Sequence, residues 1–364
     1  MIMLDQFRND SRNCHPVFEE MKRRGILFSQ VITYAPYTVA SLHATFTGMY
    51  GKFNGVNAYT GSDHYDKNGC LSLPEYLQKV GYWTQGYGYS RICFPNTGFD
   101  RLDFVGEEEE KDVLESHRRV LIECYAKKKP FFTFLHYGEI HHQVVREVIK
   151  KYDDYDDRFF GKTDENRIRY EEHTKHAGEY AASILHLIDE LDPNENTLII
   201  FFTDHGGGLG EKPGEKAYGI FTYDYTLCVW TYFIYPKLLP SGIDCRVQVR
   251  NIDILPTLID LLDLSISKKH KPILGRSLMP IVRGEEKEHR LAFSETGGVD
   301  GPHPSPNSPN VHCLRNGTWK LIFNSMTNRF ELYNLKEDPY ETKNYYSTNR
   351  QKADELWRQM VEYL

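Results

Sequence analysis

Runs of apolar residues separated by polar turns divide the chain into strand-like and helix-like segments. Met1–Leu4, Pro130–Leu135 and Leu198–Phe202 are apolar without a period of two, which is typical of strands buried on both faces. Pro16–Arg24 and Asn166–Leu191 instead have the spacing of amphipathic helices. This alternation predicts an α/β fold, a three-layer αβα sandwich whose mostly parallel sheet has helices on both faces.

The C-terminal part of the chain has a different pattern, richer in strands. Arg290–Glu295, Val311–Asn324 and Arg329–Asn334 read as strands or hairpins, and Arg350–Leu364 reads as a final helix. A chain of 364 residues is long enough for one large domain and a smaller one. We therefore expect a catalytic domain over residues 1–285 and a small α+β subdomain over residues 286–364.

Polar side chains follow the predicted strands at the point where each strand ends. Asp5 and Gln6 follow the first strand, and Asp204 and His205 follow Leu198–Phe202, before three consecutive glycines. The carboxyl ends of parallel strands share one edge of a sheet, where such folds bind ligands. Carboxylates and imidazoles are good ligands for divalent metals. These residues alone leave a second interpretation open, an ordinary polar turn after a strand.

A hydroxyl and an imidazole extend this group. Thr38 precedes a predicted helix over Val39–Thr47, where a hydroxyl serves either as a helix N-cap or as a nucleophile. Glu139 and His141 follow the strand at Pro130–Leu135. Such a collection suits hydrolysis of a charged ester, because a divalent metal lowers the pKa of a hydroxyl and binds an ester oxygen.

Composition limits the partners and the compartment. The net charge is −7, which gives no indication of a nucleic-acid or anionic-membrane surface. Seven cysteines without a CxxC pair suggest a reduced intracellular protein, and we expect the cytoplasm. The sequence contains no apolar run of membrane-spanning length and no secretory signal. The chain opens inside an expected strand, which leaves room for an upstream segment with a signal.

Several motifs in one order resemble the sulfatase branch of the alkaline phosphatase superfamily. They are the opening strand with Asp5, the helix ending at Thr47-Gly48, and the stretches PFFTFLHYGEIH, TDHGGGLGE and FELYNLKEDPYE. The last stretch is similar to the family signature ELYDL-x-x-DP-x-E, and the resemblance runs nearly end to end. It implies the same three-layer fold with its C-terminal subdomain, and a metal-dependent ester hydrolase.

The resemblance also implies a set of site residues. The implied metal ligands are Asp5, Gln6, Thr38, Asp204 and His205. The implied catalytic residues are Thr38 as nucleophile, His141 as a contact to the ester oxyanion, and Arg91, Lys216 and Tyr89. The cofactor implied is a divalent ion (Mn, Zn or Ca), with one ion favoured over two because Tyr218 stands near the position of a later histidine ligand.

Departures from the family pattern bear on the substrate. Sulfatases mature a Cys or Ser to formylglycine, and Thr38 is not a substrate for that maturation; Leu42 replaces the supporting Arg. Gln6 and Tyr89 stand where phosphonate monoester hydrolases have the same residues. Arg91 replaces a family His, and Lys216 lies a few residues from the expected spacing. The resemblance therefore implies hydrolysis of a phosphate ester or phosphonate monoester.

Three alternatives remain at this stage. The chain is a transferase that passes the phosphoryl group to a glycan or lipid, a sulfuric ester hydrolase that works without formylglycine, or an inactive sulfatase-like binding protein. The expected partner is a small-molecule, glycan-linked or lipid-linked phosphate or sulfate ester. Nucleic acid is not expected, and a homo-oligomer is compatible with the sequence.

Overall fold

Two sheets and the helices around them make up the structure, a computed structural model that describes residues 1–106, 112–149, 161–214, 218–297 and 308–364. Within these ranges the strands are β1 (Ile2–Leu4), β2 (Ile26–Ile32), β3 (Trp83–Gly88), β4 (Arg101–Phe104), β5 (Phe131–Tyr137), β6 (Ile199–Phe202), β7 (Cys228–Ile234), β8 (Ile243–Cys245), β9 (Val249–Arg250), β10 (Ala292–Thr296), β11 (Val311–Arg315), β12 (Trp319–Asn324) and β13 (Arg329–Asn334). The α-helices are α1 (Pro16–Arg24), α2 (Thr38–Thr47), α3 (Gly51–Asn54), α4 (Leu73–Lys79), α5 (Val113–Ala126), α6 (Glu139–Ile149), α7 (Thr163–Leu191), α8 (Asp224–Leu227), α9 (Ile254–Leu261), α10 (Met279–Val282) and α11 (Arg350–Met360).

The large sheet has the strand order β4-β3-β5-β1-β6-β7-β2-β8, with β9 paired to β2. All of its strand pairs are parallel apart from those of β7, which runs antiparallel to both β6 and β2. The prediction of a mostly parallel sheet is therefore confirmed. Since β1, β5 and β6 are parallel neighbours, the residues that follow them meet at one edge.

The sheet has an apolar layer on each face, which explains why its strand sequences do not alternate between apolar and polar residues. Ile2 and Leu4 of β1 pack into a layer with residues of α1, α5 and α7. Met3 lies in the opposite layer, with residues of α2, α4 and α9. Successive side chains of a strand point to opposite faces, so a strand covered on both sides must be apolar throughout. The predicted αβα sandwich is confirmed.

Helix α2 is the most enclosed of the short helices around the sheet edge. All ten of its residues are buried. Its end at Gly48 has a φ of 66°, a left-handed conformation that glycine adopts without strain. Its first residue is Thr38, one position earlier than the predicted start, and Tyr37 occupies the N-cap position. The enclosed helix therefore begins at the candidate nucleophile.

The C-terminal sheet, β10-β11-β12-β13, is antiparallel, and a largely buried ion cluster joins it to Asp224 at the start of α8. Lys320 on β12 is fully buried, and its Nζ lies 2.9 Å from both Asp224 Oδ1 and Glu341 Oε1. Arg315 Nη2 lies 2.9 Å from Asp224 Oδ2. The Asp224 backbone N–H donates to Glu341 Oε2 at 2.7 Å. Glu341 is the last residue of the DPYE stretch, so this signature connects the C-terminal part of the chain to α8.

Replacing Lys320 by methionine is expected to lower the free energy of unfolding by about 3 to 5 kcal/mol, since it leaves the buried Glu341 carboxylate without its cation and Asp224 with Arg315 alone. Urea unfolding followed by circular dichroism measures the change. Lys352→Met is the matched control, because Lys352 pairs with Glu355 on the surface of α11 and such pairs contribute less than about 1 kcal/mol. Equal effects of the two substitutions would contradict a cation-dependent interface.

Among the helices in the described ranges, none combines the length and the apolar content that a bilayer crossing requires.

Candidate functional site

The carboxyl edge of the large sheet brings the predicted ligand residues together. Thr38 Oγ1 lies 3.4 Å from Asp5 Oδ2 and 3.3 Å from His205 Nε2. His205 Nε2 in turn lies 3.5 Å from Asp5 Oδ1 and 3.6 Å from Asp204 Oδ2. All four side chains are buried. The nucleophile candidate therefore stands beside the carboxylates and imidazole with which the sequence analysis grouped it.

Gln6 joins this group through an unusual backbone conformation. Its φ is 59°, in the left-handed region, and its N–H donates to Asp204 Oδ1 at 3.3 Å. Its side-chain amide lies against Gly207, where a Cβ atom would come within 2.5 Å of Gln6 Nε2. A glycine at 207 thus allows the two ligand-bearing loops to approach each other this closely.

Several buried polar atoms at this point have no hydrogen-bond partner among the described residues. They are Asp5 Oδ1, Gln6 Oε1 and Nε2, Asp204 Oδ2 and His141 Nδ1. Buried polar atoms are normally satisfied, so a cluster of them indicates a missing group. Asp5, His141 and His205 each offer a ligand atom, and these atoms all lie within 4.8 Å of one another. A set of carboxylate oxygens and imidazole nitrogens fits a divalent cation.

The electrostatics of the cluster also favour a divalent cation. Burial, together with the neighbouring Asp204 carboxylate, raises the pKa of Asp5 well above its ordinary value. His205 Nδ1 lies 2.7 Å from the Gly206 carbonyl oxygen, so this nitrogen carries the hydrogen and donates it. The lone pair of Nε2 therefore faces Asp5, Asp204 and Thr38. A divalent cation would bind this lone pair and neutralise the two carboxylates.

Two more histidines border Asp5. His141 lies at the start of α6 with Nδ1 3.8 Å from Asp5 Oδ1, and burial among other imidazoles lowers its pKa well below the ordinary value. It is therefore a neutral imidazole in the ligand cluster. His136 Nε2 lies 2.9 Å from Asp5 Oδ2. His136 was not predicted as a site residue, although it follows the predicted strand Pro130–Leu135 and is paired with Met3 of β1.

Of the remaining predicted catalytic residues, Tyr89 borders the ligand cluster and Arg91 does not. Tyr89 stacks edge-on against His136 and His142, and its hydroxyl lies 3.3 Å from the Gly138 backbone nitrogen, so it borders the cluster. Arg91 is exposed and lies over the Phe104 ring, and none of the contacts found in the described ranges joins it to the cluster.

Lys216 lies outside the described residues. Tyr218, close to it in sequence, has its ring 5.7 Å from that of His205 and 4.8 Å from that of His141. An aromatic wall at this position covers the two imidazoles.

Two sequence models of known protein families match this chain. The sequence model of the family described as "Sulfatase" matches residues 2–264. A second, described as "N-sulphoglucosamine sulphohydrolase, C-terminal", matches residues 218–364. The two matches overlap across β7 and together reach from β1 to the final helix.

Individual relatives have low sequence identity to this chain. An ulvan-active sulfatase of Formosa agariphila is 24% identical over 404 residues, with 96% of this chain and 74% of the relative covered. A Delta 4,5-hexuronate-2-O-sulfatase of Bacteroides thetaiotaomicron is 27% identical over 179 residues, with 48% of this chain and 36% of the relative covered. Matches to four curated relatives span only 29% to 36% of their length.

Among solved structures, the phosphonate monoester hydrolase of Agrobacterium radiobacter superposes with a TM-score of 0.77. It is 17% identical, with 99% of this chain and 94% of that chain covered, so it establishes a shared fold.

Proposed function

Because the chain belongs to the sulfatase family, we propose that it is a metal-dependent hydrolase of a phosphate ester or phosphonate monoester, with Thr38 as the nucleophile. The observation that carries this proposal is the position of the Thr38 hydroxyl, 3.4 Å from Asp5 and 3.3 Å from His205. A hydroxyl placed among metal-ligand side chains at a helix start suits nucleophilic attack on a charged ester. The formylglycine route that the family uses for sulfate esters is closed to a threonine.

The chemistry divides into two displacements at phosphorus. In the first, the bond from Thr38 Oγ1 to phosphorus forms while the bond to the leaving alcohol breaks, and the hydroxyl proton passes to that alcohol. In the second, water attacks phosphorus, the phospho-threonine bond breaks, and Thr38 regains a proton. A bound divalent cation lowers the pKa of a hydroxyl in its coordination shell and offsets charge on an ester oxygen.

Residues of the chain orient these steps. Asp5, Gln6, Asp204 and His205 would hold the cation, and the Asp5 carboxylate accepts the hydrogen bond of the Thr38 hydroxyl. His141, a neutral imidazole at the same edge, is placed to hydrogen-bond an ester oxygen or to complete the ligand set. The fixed positions of these groups contribute to the rate because reacting atoms meet without a search for orientation.

A sulfate ester is the second candidate substrate, and the names of the curated relatives favour it. Two of those names specify a sulfated hexuronate and a sulfated N-acetylglucosamine, which makes a glycan-linked ester the natural form to test. A sulfate ester carries less charge than a phosphate monoester, so the two substrates place different demands on the cations of the site.

A substrate panel distinguishes the candidates. Metal-stripped protein is reloaded with Mn²⁺ or Zn²⁺, and initial rates are measured on an aryl phosphate, an aryl phosphodiester, an aryl phosphonate and an aryl sulfate. We expect the highest kcat/KM on one of the phosphorus esters and little turnover without metal. Faster turnover of the sulfate would support the second candidate. Metal uptake without turnover of any ester would support a transferase or a binding protein instead.

A further inference from the structure

Arg8 is a buried charge for which the proposed reaction has no use. It is 2% exposed and lies two residues after Gln6. Its Nε and Nη2 donate to the Asp10 carboxylate at 2.9 and 2.7 Å. Its Nη1 donates to the Gly207 carbonyl at 2.9 Å and to Glu211 Oε1 at 2.5 Å. One guanidinium therefore joins the loop after β1 to the loop after β6, a role that suits its rigid fork of donors.

Tyr170 of α7 completes the connection behind Gln6. Its hydroxyl accepts the Arg8 backbone N–H at 2.7 Å and donates to the Gln6 carbonyl at 2.6 Å. Both bonds are buried. Gln6 has the positive φ that non-glycine residues rarely adopt, and such a conformation persists only where its surroundings hold it. The Tyr170 hydroxyl thus holds the backbone on which the Gln6 amide is mounted.

Glu211 holds the opposite loop. Its Oε2 accepts the Leu209 N–H at 2.6 Å, and its Oε1 receives Arg8. Asn166 of α7 donates to the Leu209 carbonyl at 2.9 Å, which fixes the same loop from the helix side. The Gly207 segment, residues 206–209, packs on the Gln6 amide. Arg8 restrains it through the Gly207 carbonyl, and Glu211 restrains it through the Leu209 N–H.

We propose that Arg8, Tyr170 and Glu211 are positioning residues that hold the Gln6 amide and the Gly207 segment in the geometry that binds the divalent cation. The inference rests on the proposed function, because it concerns the cation of that same site. Hydrogen-bond partners of metal-ligand residues typically change metal affinity by about 10- to 100-fold when they are removed. The three residues would act on the cation through Gln6 and Gly207.

The test compares Mn²⁺ affinity with metal-free stability in the full chain. Tyr170→Phe removes only the hydroxyl, and we expect the Kd for Mn²⁺, measured by equilibrium dialysis, to rise about tenfold. Tyr125→Phe is the control, because it removes a hydroxyl bonded to Thr197 at 2.7 Å beside the opposite end of β6. We expect that control to bind Mn²⁺ like the wild type although its metal-free Tm falls.

Glu211→Gln provides a second variant on a partly exposed side chain, which tolerates replacement better than buried Arg8. It is expected to raise the Kd for Mn²⁺ as Tyr170→Phe does. Wild-type affinity in both variants, with only the Tm lowered, would show that the network supports the fold alone and would overturn the inference. Failure of the wild type itself to bind Mn²⁺ would instead overturn the proposed function, and the inference with it.

Discussion

Thr38→Ala is expected to lower kcat for a phosphorus ester by about a thousand-fold or more, because it removes the atom that forms the covalent bond. The measurement is the initial rate of the Mn²⁺-loaded protein on the best ester of the panel. Intact mass spectrometry of the acid-quenched wild type adds a direct readout, an increase equal to one phosphoryl group. Thr38→Ser, which restores a hydroxyl, is expected to recover much of the rate.

Thr47→Ala controls for the loss of a buried hydroxyl from the same helix. Thr47 Oγ1 donates to the His43 carbonyl at 2.6 Å, one helical turn back, and lies at the far end of α2 from Thr38. Its replacement should leave kcat within a few-fold of the wild type. Turnover that persists in Thr38→Ala, or a phosphoryl group found on another residue, would remove Thr38 from the mechanism.

Asp204→Asn is expected to raise the Kd for Mn²⁺ by more than about 100-fold, a larger change than the loss of an outer hydrogen-bond partner produces. The amide keeps an oxygen for the N–H groups of Gln6 and His205, which Asp204 Oδ1 accepts at 3.3 and 2.9 Å. It places an NH₂ group where the unpartnered Oδ2 would meet the cation. Equilibrium dialysis measures the affinity, and thermal unfolding of the metal-free protein measures the stability.

Metal-free stability should not fall in Asp204→Asn, because the substitution removes one of two buried carboxylates that raise each other's energy. Asp224→Asn should show the opposite pattern. Asp224 is paired with Arg315 and Lys320 of the C-terminal sheet, so its loss should lower stability and leave the Mn²⁺ affinity unchanged. Unaltered Mn²⁺ binding by Asp204→Asn would place the metal elsewhere.

The layered fold could be predicted because its signals are local and redundant. Apolar runs such as Leu198–Phe202 allow little besides a strand buried on both faces, and Pro16–Arg24 forms a helix with the predicted bounds. The antiparallel direction of β7 could not be predicted, because periodicity along Cys228–Ile234 carries no information about the direction of its neighbours.

The candidate site was predictable only where residues follow strand ends. Asp5, Asp204 and His205 are adjacent because β1 and β6 are parallel neighbours, a consequence of topology. Arg91 also follows a strand, yet its side chain turns to the Phe104 ring, and strand position does not determine the direction of a long, flexible side chain. His136 directly follows the predicted strand Pro130–Leu135, but a lone histidine at such a position is more often structural, and only the pairing of β5 with β1 brings it to Asp5.

The complete enclosure of α2 has a consequence for how the reaction would depend on motion. A hydroxyl carried on a loop must be brought to the substrate in each turnover, whereas Thr38 begins a helix whose ten residues are all buried. The orientational entropy of the nucleophile is thus lost once, when the chain folds, and does not recur in the activation barrier. The backbone amides of α2 should then be among the slowest in the protein to exchange hydrogen with solvent. Any motion that limits the reaction would involve the substrate and the segments through which it enters, and not the nucleophile.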